Sequence, residues 1–458
     1  MIFHQYFLAC LSHASYLVGD ESTGRAVVVD PQRDVSGYLA DADAAGLEIE
    51  RVIETHFHAD FLSGHLELAE ATGAPICFGA QAEAEFRIER LADRQRISLG
   101  EVEVEVRATP GHTPESISLV VYEHADDLVP YGVLTGDTLF IGDVGRPDLL
   151  AAEGSSAAEL AGQLYHSLRD QLLTLPPETR VYPAHGAGSA CGKSLSSETS
   201  STIGEQRSTN YALADMDESD FVRIVTEGQP LTPLYFPYSA HRNRERRPLL
   251  DEHHRPAAAP SAKVLEHQAD GAVILDTRDP TEFAAGHLPG SLNVGLTGRF
   301  AEYAGDVLGP DDRIILVCDA GHDLEATVRL ARIGFDNVIA ALADPVSAFM
   351  EHPELTERGS RLTAVELVER LRESPDLTLV DVRNAGEVAD GAIAGSIHIP
   401  LAALLARLDE VDQHRPVVTY CASGYRSSIA ASALARAGHR DVSDLLGGFS
   451  AWRVLIEA

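Results

Sequence analysis

Two kinds of chemistry-bearing residue recur where apolar strands give way to loops: imidazole and carboxylate groups in the first half of the chain, and a cysteine loop near its end. Thr55-His56-Phe57-His58-Ala59-Asp60 follows the apolar pair Val52-Ile53, so two imidazoles and a carboxylate leave a strand together. Downstream come Thr109-Pro110-Gly111-His112-Thr113, Leu134-Thr135-Gly136-Asp137-Thr138 and Tyr182-Pro183-Ala184-His185-Gly186. A single histidine is more often a surface or core residue than a ligand, but recurrence at strand-loop junctions points to a metal. The second kind is Cys421-Ala422-Ser423-Gly424-Tyr425-Arg426-Ser427-Ser428, which follows the β-branched run Val417 to Tyr420 and opens a helical pattern of Ile429, Ala433 and Leu434. In that geometry backbone N–H groups converge on the sulfur and the helix N-terminus adds partial positive charge. A thiolate is favoured, and an extra sulfur can be held on it as a persulfide.

The elements that must position these groups fall into blocks. Residues 1–235 contain short strands such as Val102-x-Val104-x-Val106 and Leu119 to Tyr122, ending in polar loops. Two sheets packed together with helices outside would gather those loops at one edge. The pattern breaks over 236–262, where Pro237, the basic stretch His241 to Arg247, Pro248, Pro256 and Pro260 read as a linker with solvated charge. Beyond it lies an internal repeat. Asp276, Arg278, Glu282, Gly286 and Gly290-Ser291 recur 105 residues later as Asp381, Arg383, Glu387, Gly391 and Gly395-Ser396, and Cys318-x-x-Gly321 recurs as Cys421-x-x-Gly424. Strands alternating with helices in each copy predict two α/β domains with largely parallel sheets, over 263–357 and 358–458. The Asp-x-Arg pairs shared by both copies are expected to serve fold rather than catalysis.

Composition excludes several classes. The 458 residues carry 36 Lys+Arg against 70 Asp+Glu, a formal charge of -34, which repels nucleic acid and anionic membrane alike. With 45% hydrophobic residues the chain can build more than one core. The five cysteines, Cys10, Cys77, Cys191, Cys318 and Cys421, have no close spacing, so reduced thiols are expected. The N-terminus has no basic leader pattern, and a cytoplasmic protein is expected.

The histidine and aspartate loops resemble those of the metallo-β-lactamase fold. They imply an αββα sandwich, with the motif His-x-His-x-Asp-His departing from the family at Phe61. Phe cannot bind a metal, so a dinuclear zinc site of the glyoxalase II kind would lose a ligand. A narrower resemblance runs through Thr55 to His65, Gly142-Asp143-Val144-Gly145-Arg146-Pro147-Asp148 and His185 to Lys193: these look like the persulfide dioxygenases fused to rhodanese domains. That resemblance implies His56, His112 and Asp137 as ligands of one Fe(II) per chain, the two-histidine, one-carboxylate arrangement of non-haem oxygenases. His58, Asp60 and His185 would surround them, orienting ligands and holding protons or waters. It implies oxidation of a low-molecular-weight persulfide, such as glutathione persulfide, by O2 to sulfite. Cys191 becomes a candidate pocket thiol that contacts the persulfide or carries sulfur. Arg146 becomes a candidate for binding the carrier's carboxylate or the product oxyanion.

The Cys421 loop looks like a rhodanese site, with Cys421 as sulfur acceptor, Arg426 beside it, and Gly424 and Ser427 binding substrate. A protein-phosphatase cradle would need five residues between Cys and Arg, whereas four stand here. The first copy reads as degenerate: Asp323 and Leu324 replace Arg426 and Ser427, and Gly334 stands 16 positions after Cys318 whereas Gly438 stands 17 after Cys421. Acid near the thiol disfavours a thiolate. Thiosulfate would be formed or consumed at Cys421, and a homo-oligomer is expected. The rival expectations are a zinc thioester hydrolase fused to a sulfurtransferase, and a sulfur carrier with a vestigial metal site.

Overall fold

The structure, a computed structural model, describes residues 1–149 and 156–457. It divides into two compact units, Met1–Thr232 with Phe236–Leu250, and Pro233–Tyr235 with Asp251 onward.

The first unit is an αββα sandwich. One six-stranded sheet runs in chain order through Ile2–Leu8, His13–Asp20, Arg25–Val29, Glu48–Ile53, Ile76–Gly79 and Glu89–Leu91. The other has the order Ser201–Thr202, Arg180–Pro183, Gly132–Gly136, Ile117–Tyr122, Glu103–Ala108 and Arg96–Ser98. Side chains alternate across each strand. Val27, Val29 and Ile53 thus meet Val104, Val106, Leu119 and Val121 between the sheets. Val28 and Val52 on the opposite face pack on Tyr38, Ala42 and Leu68 of the helices Ser36–Ala44 and His65–Thr72. On the far side, Val120 and Val133 cover Leu164 and Phe221 of Ala157–His166 and Glu218–Thr226. Burial on both faces explains why residues 26–29 and Ile117–Tyr122 read as near-continuous apolar runs, whereas Glu103–Ala108 alternates.

Residues 236–250 are not a linker. Phe236–Arg242 is a helix, and the Asn243 amide donates to His58 O at 2.8 Å and Phe61 O at 2.7 Å while its Oδ1 accepts from Ser63 N at 2.9 Å. Arg247 is buried and donates to both carboxylate oxygens of Glu67, at 2.6 and 3.1 Å. The basic stretch therefore straps the loop that carries His56 and His58. The burial of Arg247 could not be read from the stretch because its partner, Glu67, lies 180 residues away in the chain.

The second unit holds two five-stranded sheets with every pairing parallel. The orders match strand for strand: Ala258–Ala259, Val338–Leu342, Ile314–Val317, Val273–Asp276, Leu292–Asn293, and Ser360–Leu362, Val442–Leu445, Val417–Tyr420, Thr378–Asp381, Ile397–His398. In each copy the buried Asp-x-Arg pair closes on itself. Arg278 and Arg383 bind Asp276 and Asp381, at 2.5 and 2.6 Å, and each also donates to a carbonyl eight residues on, Gly286 O or Gly391 O. Both pairs thus hold the strand-to-helix turn, as expected. No helix among the described residues is long and apolar enough to cross a membrane.

Candidate metal centre and thiol site

Three imidazoles are fixed by the hydrogen bonds on their outer nitrogens. His56 Nδ1 lies 3.0 Å from Thr55 Oγ1, which itself donates to Asp30 Oδ2 at 2.9 Å. His112 Nδ1 donates to Arg146 O at 2.9 Å, and His185 Nδ1 to Ser12 O at 3.2 Å. A proton held on Nδ1 leaves the Nε2 lone pair free, and all three Nε2 atoms turn toward Asp137. The distances to its carboxylate oxygens are 3.9 Å from His56, 3.4 Å from His112 and 3.4 Å from His185. The potential ligand atoms of His56, His112 and Asp137 all lie within 4.8 Å of one another, as do those of His58, Asp60 and His185, and of Asp137, His185 and Cys191.

The centre favours a cation. Burial holds the His56 imidazole well below its usual range and pushes His112 down to about 4, so neither competes by carrying its own charge. Burial pushes both Asp137 and Asp60 up to about 6. Both Asp137 oxygens and His185 Nε2 are buried without a hydrogen-bond partner. Leaving such groups unsatisfied costs about 1–3 kcal/mol each, and a metal ion would satisfy them together. The donor set of two imidazoles and a carboxylate fits Fe(II) with positions to spare.

Phe61, fully buried, packs its ring in tilted contact with His58 and His13, at centroid distances of 4.4 and 4.0 Å. His58 turns Nε2 away, to Asp30 at 3.2 Å and Glu54 at 3.3 Å, leaving Nδ1 for the site. Burial opposes charge on His58, but those two carboxylates outweigh it and hold the imidazole well above its usual range. Asp30, Glu54 and His13 were not singled out from the sequence, and His65 entered only as the end of a motif, with no role given to it. Asp30 carries a positive φ of 51° just after a strand and is the hub of the cluster, and His65 Nδ1 reaches Glu54 at 3.4 Å. The only signal in the sequence was an acidic residue at each of two strand ends.

Two candidate residues sit differently from expectation. Arg146 is not a free cation for substrate: its guanidinium is buried, bidentate to Asp148 at 2.7 and 2.8 Å, with Nη1 on Ala190 O at 3.1 Å. Its backbone carbonyl holds His112 and its N–H donates to Cys191 O at 2.9 Å, so it braces the metal loop against the thiol loop. Cys191 does reach the centre, beside Asp137 and His185, but burial and the charges of Asp60 and Asp137 push its thiol well above the usual range.

In the second unit, Gly424 N donates to Cys421 Sγ at 3.1 Å and Ser427 Oγ lies 3.6 Å away. Gly424 adopts φ +109°, open to glycine, and the helix Tyr425–Arg436 starts immediately after it. Arg426 lies beside the loop, bidentate to Glu387 at 2.7 Å through each nitrogen. Gly448, at φ +55°, backs the loop; a Cβ there would stand 2.3 Å from Cys421 O. At the first copy a cavity of about 600 Å³ opens beside Cys318, lined by Asp319, Asp323 and Arg255 among others, and Arg255 pairs with Asp323 at 2.9 Å. Burial and then the nearby Asp276, Asp323 and Asp319 push the Cys318 thiol up to about 12.

Comparison with known proteins agrees with this division. Residues 8–185 match the metallo-beta-lactamase superfamily, and 261–352 and 363–454 each match the rhodanese-like domain. The human mitochondrial persulfide dioxygenase ETHE1 is 31% identical over 215 residues, 46% of this chain and 75% of that protein. A hydroxyacylglutathione hydrolase of Rhodospirillum rubrum is 35% identical over 172 residues, 37% of this chain and 60% of that one. A crystal structure of a metallo-beta-lactamase from Staphylococcus aureus is 32% identical and superposes with a TM-score of 0.67, covering 74% of this chain and 98% of the other.

Proposed function

We propose a function from one premise: this chain belongs to the persulfide dioxygenases of the metallo-β-lactamase superfamily and carries two rhodanese-like domains. Its first unit oxidises a low-molecular-weight persulfide, such as glutathione persulfide, using one O2 and one water and giving the thiol and sulfite. The observation that carries this reading is the convergence of His56, His112 and Asp137 beside a Phe61 that fills the place of a further ligand. Bound there, Fe(II) supplies a redox-active centre with open positions suited to a soft sulfur donor and O2. The chain's own residues do the rest. His185 presents Nε2 to accept the persulfide proton, and Asp60, 3.3 Å away, continues the path. Phe61, Phe140 and the strap at Asn243 keep bulk water from the buried pocket. Cys191 keeps its proton near Asp137 and so can donate a hydrogen bond to an anionic sulfur.

The last domain moves sulfane sulfur through Cys421. Sulfite attacks the outer sulfur of a Cys421 persulfide; the new S–S bond makes thiosulfate, the old one breaks, and Cys421 leaves as thiolate. The reverse step loads Cys421 from thiosulfate and releases sulfite. Fusion raises the local concentration of each site's product at the other.

One rival has a specific observation behind it. His58, Asp60 and His185 also converge, which favours a two-metal thioester hydrolase. Metal content with an oxygen electrode separates the two. One iron per chain with persulfide-dependent O2 uptake, lost in His112→Ala and Asp137→Ala, supports the dioxygenase; two zinc ions and thioester cleavage without O2 uptake would refute it.

A further inference from the structure

The tandem copies share a cavity of about 530 Å³ that is far more basic than the chain around it. Arg358, Arg361, Arg436 and Arg440 line it, against the carboxylates of Glu357 and Asp444. Arg361 is committed to Asp444, with Nε and Nη2 each at 3.0 Å from its oxygens, and Arg436 donates through Nη1 to Gly290 O at 3.0 Å. Arg358 and Arg440 are exposed and make no ion pair among the described residues. Four guanidiniums face one opening with only two carboxylates, one of them already paired with Arg361, which leaves a local excess of positive charge that attracts a small anion.

A second observation also points to a ligand. His439 lines the same cavity at 4% exposure, and neither ring nitrogen has a hydrogen-bond partner. A buried imidazole without partners is costly, and an acceptor entering the cavity would satisfy it. The volume lies in the range that holds organic ligands and is too large for a bare oxoanion.

We infer that this cavity binds a low-molecular-weight organic anion carrying two or more carboxylate or phosphate groups. Arg358 and Arg440 bind the charges and His439 binds an oxygen. The site is built from both copies. Pro280, Phe283 and His287 come from the first, while Ser428 and Ser432 come from the helix that starts at the Cys421 loop. Ser432 Oγ also accepts from Asn293 N of the first copy at 3.0 Å. The degenerate copy therefore supplies one wall of a ligand site whose other wall is the helix behind Cys421. This inference does not depend on the chemistry at the metal centre.

Calorimetric titration of the full-length protein with glutathione, with coenzyme A and with thiosulfate tests it. Glutathione represents carboxylate recognition, coenzyme A phosphate recognition, and thiosulfate a small dianion. Expected is binding of glutathione or coenzyme A with a Kd below about 1 mM, weakened about tenfold or more in Arg358→Ala/Arg440→Ala and unchanged in Cys421→Ser. His439→Gln, which keeps a donor and an acceptor, should weaken it less than His439→Leu. The inference is overturned if neither organic anion binds below about 10 mM, if thiosulfate alone binds, or if the double variant binds as well as the wild type.

Discussion

The two rhodanese-like copies share a strand order, a buried Asp-x-Arg pair and a cysteine at the same strand end, yet the surroundings of the two sulfurs differ. At Cys421 a backbone N–H and a hydroxyl face the sulfur, and Arg426, fixed by Glu387, stands beside it. At Cys318 the corresponding position is Asp323, and burial with three nearby carboxylates pushes the thiol up to about 12. The element behind the loop differs too. The helix after the last strand of each copy begins at Gly448 in the second, where Phe449 N donates to Cys421 O at 2.7 Å, and at Pro345 in the first. A shared scaffold thus leaves the two sulfurs in different surroundings, set by a handful of residues beside them.

This comparison breaks most sharply at the sulfurs themselves. Cys421→Ser should lower thiosulfate sulfurtransfer by about a thousandfold or more, while Cys318→Ser stays within about twofold; equal losses would make the first copy catalytic. Next comes the cation: Arg426→Gln should lower kcat for sulfurtransfer by about ten- to a hundredfold with O2 uptake unchanged, as should Glu387→Gln to a smaller degree. Packing follows. Gly448→Ala forces a methyl onto Cys421 O, so thermal unfolding should show a loss of about 2 kcal/mol together with slower transfer.

The smallest effect is at the degenerate thiol. Because burial pushes its pKa up to about 12, iodoacetamide labelling of Cys318 should keep rising with pH well past 10, where an ordinary thiol has levelled off. Asp323→Asn removes one nearby charge but not the burial that is the larger cause. Labelling at fixed pH should therefore quicken by less than about tenfold.

Much of this was legible from residue order. The 105-residue repeat, the parallel α/β copies, the acid beside Cys318 and the histidine and aspartate loops at strand ends follow from local pattern, whereas the grouping of His56, His112 and Asp137 came from the family resemblance. What escaped depends on distant pairing. Arg247 reads as solvated linker charge until Glu67 is placed against it, and Arg146 reads as a free cation although Asp148 is only two residues away, since the turn that joins them is set by contacts with Ala190 and Cys191. Asp30, Glu54 and His13 join the centre through strand pairing and the packing of Phe61, which no short motif records.

The central claim is that one chain couples persulfide oxidation to sulfur transfer, and a single turnover assay tests it. Iron-loaded protein is given glutathione persulfide in air while O2, sulfite and thiosulfate are quantified together. The account predicts one O2 consumed for each sulfite and thiosulfate formed in sum, with thiosulfate suppressed in Cys421→Ser and O2 uptake retained. Persulfide left unoxidised by the fully iron-loaded wild type, or thiosulfate formed equally well without Cys421, would contradict it.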